Sequence, residues 1–235
     1  MRNLLIFGLF IIALVMVQFA HAQTADDVID KYISALGGKE KLSTLNSARL
    51  QGNINIQGTD VSLTITKLNN VGIRTDIEVM GTSNYQIVTA AKGVSFMPVQ
   101  GMSAPTDMTD DQFKPSQTQL DIQSPLLNYK DKGNAVELLG TEKIDGEDNY
   151  KLKVTFKNGV ISNYFIGSKN SRLNKSTGKR MINGEEMEIE TTFSNYKQNA
   201  DGFWFAYTVV STQGETNYDK IETNIKVDET IFKAN

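Results

Sequence analysis

Residues 48–98 read ARLQGNINIQGTDVSLTITKLNNVGIRTDIEVMGTSNYQIVTAAKGVSFMP, and this stretch decides the fold. Apolar side chains fall at every second position, as in the run VSLTI at residues 61–65. A period of two is typical of a β-strand that has one face in water. Residues that tolerate the positive φ of tight turns separate the runs: Gly58, Asn69 with Asn70, Gly81 and Gly93. The stretch therefore predicts an antiparallel meander with one apolar face.

The N-terminus has the features of a secretory signal. A continuous apolar run extends from Leu4 to Val17, and Ala20-His21-Ala22 follows as a small-x-small cleavage pattern. We predict that residues 1–22 are a cleaved signal peptide and that residues 23–235 form one domain. The alternative is an uncleaved membrane anchor, for which the apolar run is short.

Composition excludes several classes of protein. The chain has 24 basic and 27 acidic residues, a formal net charge of −3, and its mature part has no long basic run, so nucleic acid is not a predicted partner. The only histidine is His21, in the predicted signal, and there is no cysteine. A Ser-His-Asp or Cys-His site, a histidine zinc site and disulfides are therefore ruled out in the mature chain. No cofactor is predicted, and a disulfide-free exported chain favours the periplasm of a Gram-negative cell.

Two short helices are predicted before the meander. Thr24 can cap a helix that begins with Ala25-Asp26-Asp27 and ends at Gly37-Gly38. Its apolar stripe needs a partner surface, and a second short helix is expected from Lys39 to Leu45.

The middle of the chain interrupts the strands. The segment from Gln100 to Gln123 is rich in polar residues and proline, and Thr109-Asp110-Asp111 can start a helical turn there. Strands resume at Ala135, with hairpin turns at Asn158-Gly159 and Asn183-Gly184. About five strands before the insert and six after it, about 11 in all, make a mainly β meander that is large enough to curl.

The concave apolar face of such a sheet has two interpretations. It is either an ordinary core filled by the N-terminal helices or a cavity for an apolar ligand, because alternating apolar residues serve both. Adaptable methionines and aromatic residues near the insert either line such a cavity or fill gaps under a loop: Met80, Phe96, Met97, Met102, Met108 and Phe113.

Charged residues give little support to an enzyme. Alternation places Arg74 on the polar face, where a surface ion pair with Asp76 or Glu78 across a neighbouring strand is the favoured role over ligand binding. The acidic residues at 107–111 suit a helix start, and those at 185–190 suit the wet face of a strand. Neither cluster has the spacing of a calcium loop, and a hydrolase would require both to converge in one cleft.

The order of these pieces resembles the outer-membrane lipoprotein carrier family of the LolA type. The resemblance rests on TITK at residues 64–67 leading into Ile73-Arg74, and on IVTAAKGVSFMP at residues 87–98. The chain is more similar still to lipoprotein-sorting-like exported proteins of Bacteroidetes. The segments concerned are ALGGKEKL (35–42), PLLNYK (125–130), VELLG (136–140), Asp145-Gly146 and YKL (150–152).

The resemblance implies an incomplete antiparallel β-barrel lidded by short N-terminal and mid-chain helices, which shields lipoprotein acyl chains or free lipid in the periplasm. It also implies membrane-bound donor or acceptor proteins as possible partners. One departure concerns the lid: where the carriers have Lys-Arg-Pro, with an arginine that helps to hold the lid closed, this chain reads Lys67-Leu68-Asn69-Asn70.

Our first hypothesis is a non-enzymatic lipid-binding or carrier protein, and the second is a sensor or interaction module with a filled core and a protein partner. For the first, the predicted ligand cavity is lined by Leu50, Ile54, Leu63, Ile65, Ile77, Phe96, Met97, Phe156, Phe165, Ile189 and Phe193.

Overall fold

The structure is a computed structural model that describes residues 23–56, 58–182 and 185–234. The predicted signal peptide, residues 1–22, and the predicted turn at residues 183–184 lie outside the described residues. Among the helices that the structure describes, none has the length and apolar character that crossing a bilayer requires.

The described part of the chain forms three short α-helices and two 3-10 turns beside its strands. The helices are α1 (Ala25–Ala35), α2 (Lys39–Ser43) and α3 (Asp110–Gln117), and the 3-10 turns span Pro98–Gln100 and Glu229–Phe232. The predicted start of α1 is confirmed by a capping box, in which the Asp27 amide donates to Thr24 Oγ1 over 3.2 Å and the Thr24 amide donates to Asp27 Oδ2 over 2.9 Å.

Within the ranges that the structure describes, thirteen antiparallel strands form one sheet. They are β1 (Ser47–Ile56), β2 (Thr59–Leu68), β3 (Gly72–Val79), β4 (Thr82–Thr89), β5 (Gly93–Phe96), β6 (Thr106–Asp107), β7 (Ala135–Ile144), β8 (Glu147–Thr155), β9 (Ile161–Gly167), β10 (Leu173–Ile182), β11 (Glu185–Gln198), β12 (Trp204–Ser211) and β13 (Gly214–Thr223). Their order is β6-β5-β4-β3-β2-β1-β13-β12-β11-β10-β9-β8-β7. Strands β1–β6 form one meander and strands β7–β13 form another, and the pairing of β1 with β13 joins these two halves.

The sequence predicts about 11 strands, and the structure adds two to that number. The first is β6, a two-residue strand inside the insert, and the second is β10. The sequence of β10, LNKSTGKRMI, is mostly polar and has no apolar alternation, so it gives no strand signal of its own. It becomes a strand because β9 and β11 on either side offer unpaired edges.

The sheet is strongly curled and does not close. Helix α3 contacts both β4 and β10, although six strands lie between them. Eight residues of α-helix span about 12 Å, whereas seven strand spacings in a flat sheet cover roughly 34 Å. Because one short helix bridges that distance, the sheet must wrap around it, and the unpaired outer edges of β6 and β7 leave an incomplete barrel.

A closed core fills one end of the inner face. Helix α1 and residues Leu126 and Leu127 pack on β8 and β9, and three side chains there have no exposed surface: Leu126, Leu152 and Val154. This part of the sheet is therefore filled by helices, as the plain-core interpretation expects.

The C-terminal segment packs on the outer face instead. Gly72 on β3 admits the ring of Phe232, because a Cβ at Gly72 would lie 2.5 Å from Phe232 Cγ. The predicted ion pair of Arg74 with Asp76 forms, with Nη2 2.8 Å from Asp76 Oδ1, but it lies within one strand and not across a neighbouring strand as predicted. Arg74 Nη1 also donates to the Ile231 carbonyl over 3.1 Å, so this arginine fastens the C-terminus.

Candidate functional site

The strand register defines a groove face on the inside of the curled sheet. Directly paired residues of an antiparallel sheet share a face, and Leu50 pairs with Ile65, Ile54 with Val61, and Leu63 with Ile77. The same face continues across β11, β12 and β13. We call the following set the groove face: Ala48, Leu50, Ile54, Val61, Leu63, Ile65, Ile73, Ile77, Val79, Val88, Ile189, Phe193, Phe205, Tyr207, Val209, Tyr218 and Ile221.

Seven of the eleven predicted lining residues lie on the groove face: Leu50, Ile54, Leu63, Ile65, Ile77, Ile189 and Phe193. Phe156 has the inward orientation but belongs to the closed core beneath α1. Met97 follows β5 and begins the turn in which the Val99 amide donates to Asn84 Oδ1 over 3.1 Å.

Phe96 does not line the groove face. It pairs with Tyr85, whose ring centroid lies 5.4 Å away, and Tyr85 pairs with Asp76 on the outer, polar face of the sheet. The sequence predicts that this aromatic side chain points inward, but the register of β4 with β5 places it on the outer face.

Phe165 is also on the outer face, because it pairs with Lys151 and Lys175. It is only 2% exposed, since the Lys151 and Lys175 ammonium groups lie 5.2 and 4.8 Å from its ring centroid. Its neighbours Tyr164 and Ile166 are apolar too, so β9 has no clear alternation from which the sequence could tell the inner side.

The last two strands also contribute to the groove face, which the sequence does not predict. Phe205, Tyr207 and Tyr218 pack against Ala48, Leu50 and Ile221 on the groove face. The alternation of Phe205, Tyr207 and Val209 was the available signal, but the inward side of β12 depends on its distant pairing with β13 and β1.

Most side chains of the groove face pack only against other strand residues. Two apolar clusters are described there, one around Leu50 and one around Ile54 and Leu63, and neither includes a described helix residue. Ile65, Ile77, Val79 and Tyr218 are half-buried, in contrast to the fully enclosed Leu152 and Val154 under α1. The inner face thus consists of a filled core at one end and a partly uncovered apolar groove at the other.

Helix α3 forms a lid over part of this groove. Phe113 on α3, together with Met108 and Leu120 on either side of it, packs on Ile73 and Val88. Polar bonds tie the lid to both halves of the sheet, because Gln117 Nε2 donates to the Ala90 carbonyl and Asn158 Nδ2 donates to the Lys114 carbonyl, each over 2.9 Å.

The lid is a weak element. None of the eight residues of α3 is fully buried, and Pro115 lies inside the helix, where it removes one backbone hydrogen bond. A capping bond from the Thr109 amide to Gln112 Oε1, 3.1 Å long, partly compensates. A helix held by so few contacts opens at little cost in free energy.

Opposite charges meet where the lid approaches β10. Asp110, Asp111 and Lys114 line an open pocket of about 160 Å³ together with Lys179, Arg180 and Glu186. Desolvation lowers the pKa of Arg180, whose side chain lines the pocket on the β10 side.

The same pocket bears on the hydrolase hypothesis, because both acidic clusters reach it. Asp110 is paired with Lys114 over 3.1 Å and Glu186 with Lys179 over 2.6 Å, and all four side chains are exposed. Carboxylates that are paired with lysines and exposed to water are poor general acids and bases. Among the described residues, no group of three or more His, Cys, Asp or Glu side chains is placed to hold a metal ion.

Gly93 permits the close approach of the lid. Its backbone is extended, and a Cβ at this position would lie 2.5 Å from Met108 Sδ and 3.1 Å from Phe113 Cδ2. We expect Gly93→Val to displace the lid, so that amide hydrogen exchange of residues 108–117 rises about tenfold or more while exchange of the closed core is unchanged. The exposed neighbour Ala91→Val is the control and should leave the exchange of the lid unaltered. Unchanged protection in Gly93→Val would show that this packing does not hold the lid.

No protein-family model and no curated protein sequence matches the chain. Solved structures do share its fold. A LolA superfamily protein from Nitrosomonas europaea superposes with a TM-score of 0.57 at 16% identity, covering 90% of this chain and 98% of that one. A domain assigned as an outer membrane lipoprotein-sorting protein from Vibrio parahaemolyticus gives a TM-score of 0.50 at 17% identity, covering 88% and 94%. The chain therefore has a LolA-like fold, as the sequence resemblance predicts.

Proposed function

We propose that this protein is a non-enzymatic periplasmic carrier or binding protein that holds acyl chains of lipids or lipoproteins on its groove face. The observation that carries the proposal is the pair of strand-only apolar clusters inside the curled sheet. When an apolar chain replaces water beside half-buried apolar side chains on a concave surface, the free energy of the system falls.

The size of this gain is sufficient for useful binding. Burial stabilises by about 0.8 kcal/mol per CH₂ group, so that even part of an acyl chain offsets the cost of ordering it. The lid fits the same role, since a helix with few buried contacts can move aside for a chain and then cover it.

The similarity of fold supports the narrower form of the proposal. The names of the two structures refer to the LolA superfamily and to lipoprotein sorting, and the N-terminus of this chain reads as an export signal. On that basis we propose a role in outer-membrane lipoprotein sorting, with membrane-bound donor or acceptor proteins as partners.

The arginine that helps to hold the lid closed in the LolA-type carriers is absent here, so other contacts must hold the lid of this protein. The hydrogen bonds from Gln117 to the Ala90 carbonyl and from Asn158 to the Lys114 carbonyl supply these contacts. Both are polar and accessible to water, so we propose that the lid opens without a dedicated latch residue.

Lipid extraction tests the proposed function. The full chain is produced with its own N-terminal segment and purified, and its lipids are extracted and identified by mass spectrometry. We expect acyl lipid in near-stoichiometric amount, because the groove face is apolar and accessible. Protein that carries no lipid and binds no acyl ligand on titration would contradict the proposal and favour the interaction module with a protein partner.

A further inference from the structure

The groove face ends at a lysine. On β2, Val61, Leu63, Ile65 and Lys67 point to the same side, and Lys67 pairs with Ala48 on β1 and with Ile73 on β3. Ala48 and Ile73 are both buried. Lys67 therefore stands at one end of a row of apolar side chains that begins at Val61, about 20 Å away along the strand.

The ammonium group of Lys67 has no partner among the described residues, since it takes part in none of the side-chain hydrogen bonds or ion pairs found there. Two carboxylates belong to segments that contact this end of the sheet, Asp121 beside the residues that bond to Asn69 and Asn70, and Asp201 beside Thr223, which pairs with Ala48; each is bound elsewhere. Asp121 pairs with Lys132 over 2.6 Å, and Asp201 accepts a hydrogen bond from the Thr223 hydroxyl. Lys67 is half-buried, and desolvation lowers its pKa to about 8, so the positively charged ammonium form predominates at neutral pH.

The end of the groove beside Lys67 is closed by the chain itself. The Asn70 amide donates to the Leu120 carbonyl over 2.8 Å, and the Ile122 amide donates to Asn69 Oδ1 over 3.1 Å. A linear ligand on the groove face would thus meet the covering segment 120–122 at one end, where the lysine stands.

An unpaired ammonium group in apolar surroundings costs free energy that an anionic partner recovers. Lys67 is the only charged side chain among those that the register places on the inner face of β1, β2 and β3. A ligand whose apolar chain contacts Ile65 and Leu63 brings its head group to this position.

We propose that Lys67 binds the anionic head of the ligand, a carboxylate or phosphate monoester, so that the groove prefers acidic single-chain lipids to neutral ones. This inference rests on the proposed acyl-binding function and specifies the head-group chemistry that the site selects.

Calorimetric titration with matched ligands tests the preference. Dodecanoate is compared with dodecanol, and lauroyl lysophosphatidic acid with monolaurin, so that carboxylate and phosphate are examined separately. We expect the wild-type protein to bind at least one acidic ligand about tenfold more tightly than its neutral counterpart. Lys67→Met should abolish that preference and leave the affinity for the neutral ligands within about twofold.

Two further variants control the experiment. Lys67→Arg keeps the charge and should retain most of the preference, whereas Lys153→Met removes a lysine from the outer face and should change nothing. Lys67→Met should fold, because it removes a charge that destabilises the native state below the lowered pKa, and its melting temperature at pH 7 should be no lower than that of the wild type.

The outcomes separate the two proposals. Equal affinity for acidic and neutral ligands, or a preference that survives in Lys67→Met, would overturn the role of Lys67 and leave acyl binding intact. Absence of binding to all four ligands would overturn the proposed function and this inference together.

Discussion

Leu152→Ala is expected to lower the free energy of unfolding by about 3 kcal/mol, whereas Ile77→Ala is expected to lower it by about 1 kcal/mol. Both residues lie on the inner face of the sheet, but Leu152 is fully enclosed beneath α1 and Ile77 is half-buried among strand residues. Truncation of an enclosed side chain leaves a cavity, while a position beside an open groove loses only part of its buried surface.

Thermal unfolding provides the measurement. A loss of 3 kcal/mol corresponds to a drop of about 10 °C in the melting temperature for a domain of this size. Equal losses in Leu152→Ala and Ile77→Ala would mean that the groove face is packed as tightly as the core, and the account of an open groove would be wrong.

Ile77→Asp is expected to reduce the affinity for a neutral acyl ligand such as dodecanol by at least tenfold. The carboxylate would stand beside Leu63 and Val79, in the path of the chain, and the ligand would have to remove its water without supplying a partner. Leu152→Ala, which lies outside the groove, should leave the affinity within about twofold.

The matched control adds the same charge to the opposite face. Asn53 is exposed on β1 and alternates with the inward Ile54, so Asn53→Asp introduces a carboxylate that no groove ligand meets. Calorimetric titration of the folded variants, checked by their melting curves, separates the two positions. A large loss in Asn53→Asp, or none in Ile77→Asp, would place the ligand elsewhere.

The sequence predicts the first meander well because its signals are local. Alternation in β2 and β3 shows which side of each strand is apolar, and residues with positive φ, such as Asn70 and Gly81, mark the turns between them. The same reasoning predicts a turn at Gly93, but its φ is not positive, and its lack of a side chain allows the close approach of Met108.

What the sequence missed depends on distant partners. β10 is polar and becomes a strand through its neighbours, and the inward side of β9 is ambiguous because Tyr164, Phe165 and Ile166 are all apolar or aromatic. The division of the inner face into a filled core and an open groove depends on where α1 settles, which no local pattern reveals. Lys67 continues the alternation of Leu63 and Ile65, so its inward orientation was predictable from the sequence, but its lack of a partner was not.

The most direct test of the central claim is photo-crosslinking with an acyl chain that carries a diazirine along its length. After irradiation of the complex and proteolysis, mass spectrometry identifies the labelled peptides. We predict adducts on the strands of the groove face, above all β2, β3 and β13, and on the lid around Phe113. Labelling confined to the outer face of the sheet, or no specific labelling of the folded protein, would contradict the account.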